Sequence, residues 1–278
     1  MEIPRHNAGF GAGPYASGGY PDPGPDFAAL ARRAGLTFSV PEGTAGDRLS
    51  ITHGTTCVAL RYADGAIMAG DRRATSGNFI SHRSIEKVFP ADRHSGVAIA
   101  GAAGPAVEMV RLFQLQLEHY EKVEGTQLSL EGKANQLSQM VRNHLPAAMQ
   151  GFVVVPIFAG YDRSRDEGRL FQYDVTGGRY EEHNYATTGS GSLHASTVIK
   201  LGWRPNLDRD TSVDLALRSL IEAADEDSAT GGPDVIRSLY PVVATITSDG
   251  YVRLSDDELA TRVAAIYEAL AEERGGAS

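Results

Sequence analysis

Gly54-Thr55, within "ITHGTTCVAL" (51–60), puts a hydroxyl nucleophile at the head of an apolar strand, behind a leader of different composition. A threonine hydroxyl attacks poorly unless a base sits beside it. At a free N-terminus the residue brings its own base, because an α-amine titrates at about 7.7–8.0, close to working pH. That chemistry needs the leader gone. A leader ending in Gly54, directly before a threonine that opens the first strand, is what such a scheme would look like. Gly-Thr is a common dipeptide, and alone it fits an ordinary strand entry equally well.

Other chemistries find little support. "GFGAGP" and "GSGS" match neither a dinucleotide nor a P-loop pattern, and no G-x-S-x-G elbow occurs. The eight histidines lack metal-ligand spacing and a single cysteine cannot build a thiolate site, so neither metal nor cofactor is expected. That cysteine, Cys57, also excludes an internal disulfide and fits a reducing compartment. Two residues along the strand it faces the same way as Thr55, but it has no α-amine, and it reads as a small buried hydrophobe.

A net charge of −9 speaks against nucleic-acid or anionic-membrane partners. No run of eighteen apolar residues predicts a membrane span, and the N-terminus lacks the apolar core of a secretory signal. A cytoplasmic protein is expected. Hydrophobic residues at 42% and charged residues at 22% are ordinary for a folded domain.

The elements that must position Thr55 follow from periodicity. Residues 1–30, with six Gly and five Pro, read as disordered, and 26–36 as a short helix capped by Asp26. "TTCVALRY" and "AIMAGDRR" form a hairpin turning over Asp64-Gly65. "SIEKVF" and "GVAIAGA" add two strands. Helical stripes follow at Met109, Leu112, Phe113, Leu117 and Tyr120, then at Leu130, Ala134, Leu137, Val141 and Leu145. Strands return in "FVVVPIFAGY", "RLFQYDV" and "RYEEHNYATT", the last two joined across Gly177-Gly178. Helices over 192–202 and 211–226, a hairpin over Asp249-Gly250 and a helix from about Asp256 complete the order. Strand and helix blocks joined by hairpins indicate α+β with antiparallel sheets.

From Thr55 onward, over nearly the whole of 55–278, the sequence resembles the catalytic β-subunit of the 20S proteasome in its actinobacterial form. "GTTCVAL", "MAGDRRAT", the lysine of "IEKVF", "IAGAAG", "TTGSGS" and "DEDSATGGPD" carry the resemblance, in the family's order and spacing. It implies the N-terminal-nucleophile hydrolase fold, a four-layer αββα sandwich of two antiparallel sheets between helical layers. By the same resemblance residues 1–54 are a propeptide removed by self-cleavage at the Gly54–Thr55 bond, and residues 55–278 are the peptidase domain. Thr55 is then the nucleophile, its α-amine assists proton transfer, and Asp71 and Lys87 are its charged companions. A lysine near the hydroxyl can stabilise an alkoxide or accept its proton, and a carboxylate fixes the lysine. Without the resemblance, a surface ion pair is the simpler account of those two charges.

Ser190, Asp227 and Thr230 match the family's supporting network around the threonine amine, with Thr230 standing where many relatives carry serine. Read alone, Ser190 would cap the following helix and Asp227 would be a loop residue. Gly101 matches the glycine whose N–H faces the oxyanion. Arg73, Ala74 and Thr75, with the segment from Gly101 to Ala103, would be strand edges between which an extended peptide adds as a further strand. Ala74, Ile85, Phe89, Ile99, Ala103 and Val107 would line the pocket for the residue before the cut bond. None is charged, so cleavage after apolar or aromatic residues is expected.

The resemblance implies a homo-heptameric β-ring stacked with α-subunit rings, an ATPase regulatory ring and unfolded protein substrates. Two alternatives remain open: a subunit of a simpler ATP-dependent threonine peptidase ring, and an inactive structural β-subunit.

Overall fold

The computed structural model describes residues 54–76 and 79–275. The expected disordered leader and the helix over 26–36 lie outside the described residues.

Strands β1 (Thr56–Tyr62), β2 (Gly65–Gly70), β10 (Tyr185–Gly189), β11 (Val242–Thr247) and β12 (Gly250–Arg253) form one sheet in the order β10-β1-β2-β11-β12. Strands β5 (Val88–Asp92), β6 (Ser95–Gly101), β7 (Val154–Asp162), β8 (Glu167–Tyr173) and β9 (Arg179–Glu182) form the second, in sequence order. Every pairing in both sheets is antiparallel. A two-stranded ribbon, β3 (Ala74–Ser76) with β4 (Phe79–His82), stands apart.

Alternation along the strands builds the layers. In β1, Cys57 and Ala59 point into an inter-sheet core with Met68, Ala98, Ile157, Leu170 and Ile246. Their neighbours Val58 and Leu60 point the other way, against helices α4 (Ser192–Gly202), α5 (Arg209–Glu226) and α6 (Asp256–Gly275), through Ile199, Leu217, Leu220 and Val263. On the second sheet Val97, Ile99, Phe158 and Phe171 meet α1 (Ala103–Glu124) and α2 (Leu130–Asn143) through Val110, Phe113 and Leu137. Helices, sheet, sheet, helices is the expected four-layer α+β sandwich.

Several expectations need correction. "RYEEHNYATT" is not one strand: β9 pairs in the second sheet and β10 in the first, the chain crossing between them at His183-Asn184. Both predicted hairpins turn one residue earlier, since Tyr62 pairs with Gly65 and Thr247 with Gly250, leaving each glycine as the first residue of its strand. "SIEKVF" enters the ladder only at Val88, while the Ile85 N–H bonds Arg72 O outside the sheet. Leu145 does not continue α2. That helix stops at Asn143, and Pro146, which cannot donate to an i−4 carbonyl, sits in a separate short helix α3 (Leu145–Ala148). On α1, Leu112 is 47% exposed, a quarter turn off the buried face, and Tyr120 lies beyond Leu117, its last buried residue.

Candidate active site

The β1–β2 hairpin sets the site. Pairing of Cys57 with Gly70 brings Asp71, the residue after β2, beside the head of β1, where its N–H bonds Thr56 O at 3.1 Å. Asp71 is fully buried, and its carboxylate accepts four hydrogen bonds. Thr56 N (2.8 Å) and Lys87 Nζ (2.7 Å) reach Oδ1; Arg73 N and Gly231 N, each at 2.9 Å, reach Oδ2. Lys87, directly before β5, is 5% exposed and donates also to Arg73 O (2.6 Å) and Gly54 O (3.3 Å). Three acceptors around Nζ match the three protons of an ammonium. The surface-pair account of Asp71 and Lys87 fails on burial: their side chains are 0% and 6% exposed.

A second network approaches Thr55 from the opposite side. Ser190, between β10 and α4, donates its N–H to Thr55 O (2.8 Å), and Thr55 N–H donates to Ser190 Oγ (3.4 Å). Ser190 Oγ donates in turn to Asp227 Oδ2, which also accepts from Thr230 Oγ1 (2.6 Å), while Ala229 N donates to Oδ1 (3.1 Å). Burial alone would raise the Asp227 carboxyl. Hydrogen bonds from Ser190, Thr230 and Ala229, with the charge of His194, outweigh it and hold Asp227 below the usual carboxylate range. Ser190 therefore does not cap α4, whose N-cap is Gly191 without a side-chain bond, and Asp227 is the C-cap residue of α5.

Thr55 is 3% exposed, and no hydrogen bond from a described residue engages its hydroxyl. It shares one cleft with Gly54, Lys87 and Gly101, lined by Ala74, Ile85, Phe89, Ile99, Ala103 and Val107. All six expected pocket residues are thus brought together. Gly101 closes β6 at a φ of 119°, a conformation that favours glycine. Gly54 is held by Thr75, whose Oγ1 accepts its N–H at 3.3 Å. Ala229 packs so tightly against Gly54 that an added Cβ would come within 1.9 Å of its own. Arg73 does not line this cleft: its backbone serves Asp71 and Lys87, and its guanidinium donates to Ser228 O (3.2 Å) and Thr230 O (3.1 Å). Cys57 is fully buried in the inter-sheet core, which pushes its thiol up to about 12.

Sequence reasoning missed Thr56, Gly191, His194, Ala229 and Gly231, and at the cleft Ala106 and Glu86. Ala106 could have been found from helical spacing after Ala103. Glu86 borders the cleft with its carboxylate taken by Arg253 at 2.6 Å. Gly231 and Ala229 contribute backbone groups, for which a sequence carries no signal.

Two antiparallel sheets face to face between helical layers, with a buried threonine heading one strand, define the N-terminal-nucleophile hydrolase architecture. Within it, the chain belongs to the proteasome subunit family, whose model matches residues 51–237. It is 59% identical to the proteasome subunit beta of Acidimicrobium ferrooxidans over 91% of this chain and 93% of the relative. It is also 59% identical to that of Jonesia denitrificans, over 75% and 69% of the two chains. Against that of Streptomyces griseus identity is 56%, over 81% and 80%.

Proposed function

We propose that this chain is a proteolytic β-subunit of a 20S proteasome core, a threonine endopeptidase whose nucleophile is Thr55 once residues 1–54 are removed. One observation carries the reading. Lys87, buried, hydrogen-bonds both the Asp71 carboxylate and the carbonyl of Gly54, beside a threonine hydroxyl that no described residue engages.

In the precursor, Thr55 Oγ1 attacks the Gly54 carbonyl carbon while Lys87 draws charge onto the carbonyl oxygen. The C–N bond breaks, the proton given up by Oγ1 passes by way of a bound water to the nitrogen, which becomes the new α-amine, and Gly54 is left esterified to Thr55 Oγ1. Water hydrolyses that ester and releases the leader with a free carboxylate at Gly54. The amine then occupies the place of the present amide, against Ser190 Oγ and, through it, Asp227. In turnover it accepts the hydroxyl proton as Oγ1 attacks a substrate carbonyl, and returns it to the departing amine. Gly101 supplies the N–H for the oxyanion, and Asp71 holds Lys87 in place. Water again resolves the acyl-enzyme.

The apolar lining of the cleft supports cleavage after apolar or aromatic residues of unfolded proteins, since an unpartnered charge there would be desolvated. A ring of seven copies stacked on α-type rings, an ATPase ring that feeds it and a cytoplasmic setting complete the proposal. That the relatives are proteasome subunits supports assembly with other subunits. Among the described residues no helix is long and apolar enough to cross a membrane.

The experiment is mass spectrometry of the assembled chain combined with peptides ending in Tyr, Leu, Arg or Asp. Wild type is expected to lose residues 1–54 and to cut after Tyr and Leu. Thr55→Ala is expected to keep its leader and cut nothing. Trimming of Thr55→Ala at the same bond without added protease overturns self-processing.

A further inference from the structure

We propose that Thr56 is a positioning residue that joins the two halves of the site, its backbone holding Asp71 on the lysine side and its hydroxyl holding Thr230 and Gly191 on the Ser190–Asp227 side. The proposal rests on the threonine-peptidase reading above and deepens it.

Thr56 N–H donates to Asp71 Oδ1 at 2.8 Å. On the same residue, Oγ1 lies 2.6 Å from Thr230 Oγ1 and accepts from Gly191 N at 3.1 Å. The proton directions are fixed by bookkeeping of donors. Thr230 gives its only proton to Asp227 Oδ2, so the proton between the two threonines belongs to Thr56. A one-way chain results: Gly191 N–H to Thr56 Oγ–H to Thr230 Oγ–H to Asp227, with Ser190 Oγ–H entering the same carboxylate oxygen. Thr56 and Thr230 are both fully buried, so water cannot replace any link. Gly191 neighbours Ser190, and Thr230 closes the turn that carries Asp227. One hydroxyl therefore sets both segments against the strand that bears the nucleophile.

Thr56→Val keeps the shape and removes only the hydroxyl. It strands the Gly191 N–H and leaves Thr230 Oγ1 without its donor, which loosens Asp227 and Ser190 around the Thr55 amine. The charged and titratable groups within the two networks are Asp71 and Lys87 on one side and Asp227, with His194 and the Arg73 guanidinium on Thr230 O, on the other. The Thr56 side chain reaches only Asp227 among them, because Asp71 is held by the backbone. A looser Asp227 stabilises the ammonium less, so the amine releases its proton at lower pH.

Assembled, leader-free particles of wild type, Thr56→Val and Thr56→Ser are compared by kcat, KM and the pH profile of kcat/KM. Thr56→Val is expected to lose about tenfold or more in kcat, the usual scale for orphaning buried hydrogen-bond partners, with KM nearly unchanged and the acid limb moved to lower pH. Thr56→Ser is expected to restore both. Wild-type kcat and pH profile in Thr56→Val overturn the proposal, as does a serine variant no better than valine. If Thr56→Val does not assemble, Gly191→Ala tests the same link: its Cβ would lie 2.4 Å from Thr56 Oγ1 and 2.7 Å from Thr230 Oγ1. The same shift of the acid limb is expected there, and an unshifted limb overturns the proposal. A Thr55→Ala particle that still hydrolyses peptide would sink the underlying reading instead, which keeps the two failures distinct.

Discussion

Lys87 Nζ donates to the carbonyl oxygen of Gly54 at 3.3 Å from the same buried position in which it holds Asp71 at 2.7 Å. The carbonyl of the bond proposed for self-cleavage therefore already accepts a hydrogen bond from Lys87. Lys87→Ala is expected to leave the leader attached and peptide hydrolysis down by at least about a thousandfold, the scale for removing one member of a catalytic set. Lys87→Arg should fail as well, because a planar guanidinium cannot meet three acceptors grouped around one nitrogen. Intact mass and a fluorogenic peptide assay check both, and appreciable turnover by a processed Lys87→Ala particle would remove Lys87 from the chemistry.

Asp71→Asn tests how the carboxylate is used. Four donors converge on its two oxygens, and an amide offers one oxygen to them and turns an NH₂ toward the other two. Breaking a buried pair from one side costs about 3–5 kcal/mol. A lower midpoint in denaturant at equal protein concentration, with loss of processing, is the expected outcome.

Glu86 and Arg253 are each 40% exposed and pair at the border of the apolar cleft. Arg253→Ala is expected to free the carboxylate and raise cleavage after Arg or Lys severalfold relative to Tyr, with the gain suppressed by salt. An unchanged ratio in the peptide panel would mean that Glu86 meets the cleft through its backbone alone.

Cys57 should be unreactive in the folded chain. Burial pushes its thiol up to about 12, so at pH 8 almost no thiolate exists and none is accessible. Iodoacetamide at pH 8 is expected to spare native protein and to label the guanidinium-unfolded chain once.

Short apolar runs bounded by turn residues made β1, β6 and β7 legible as strands, and the helical stripes of α1 and α2 made one helical layer legible from sequence. The sheet change inside 179–188 was not, because "RYEEHNYATT" contains neither Gly nor Pro where the chain crosses at His183-Asn184. The β3–β4 ribbon was missed because it pairs locally and its second strand buries no side chain. At the site, hydroxyls and charges stood out as residue types, and the resemblance supplied their roles. The backbone donors of Gly231, Ala229 and Gly191 had no such mark, since any residue carries an N–H and only the fold aims it.

The parts of the site come from both sheets. Thr55, Asp71 and Ser190 adjoin strands of the first, whereas Lys87 directly precedes β5 and Gly101 closes β6 of the second. A chain in which only one sheet has formed holds half a site, with a hydroxyl and no ammonium to face it. On the proposed reading, closure of the two sheets on their shared core acts as a safety catch: the cutting edge is armed only where both sheets have packed, and a copy with one sheet undone stays harmless.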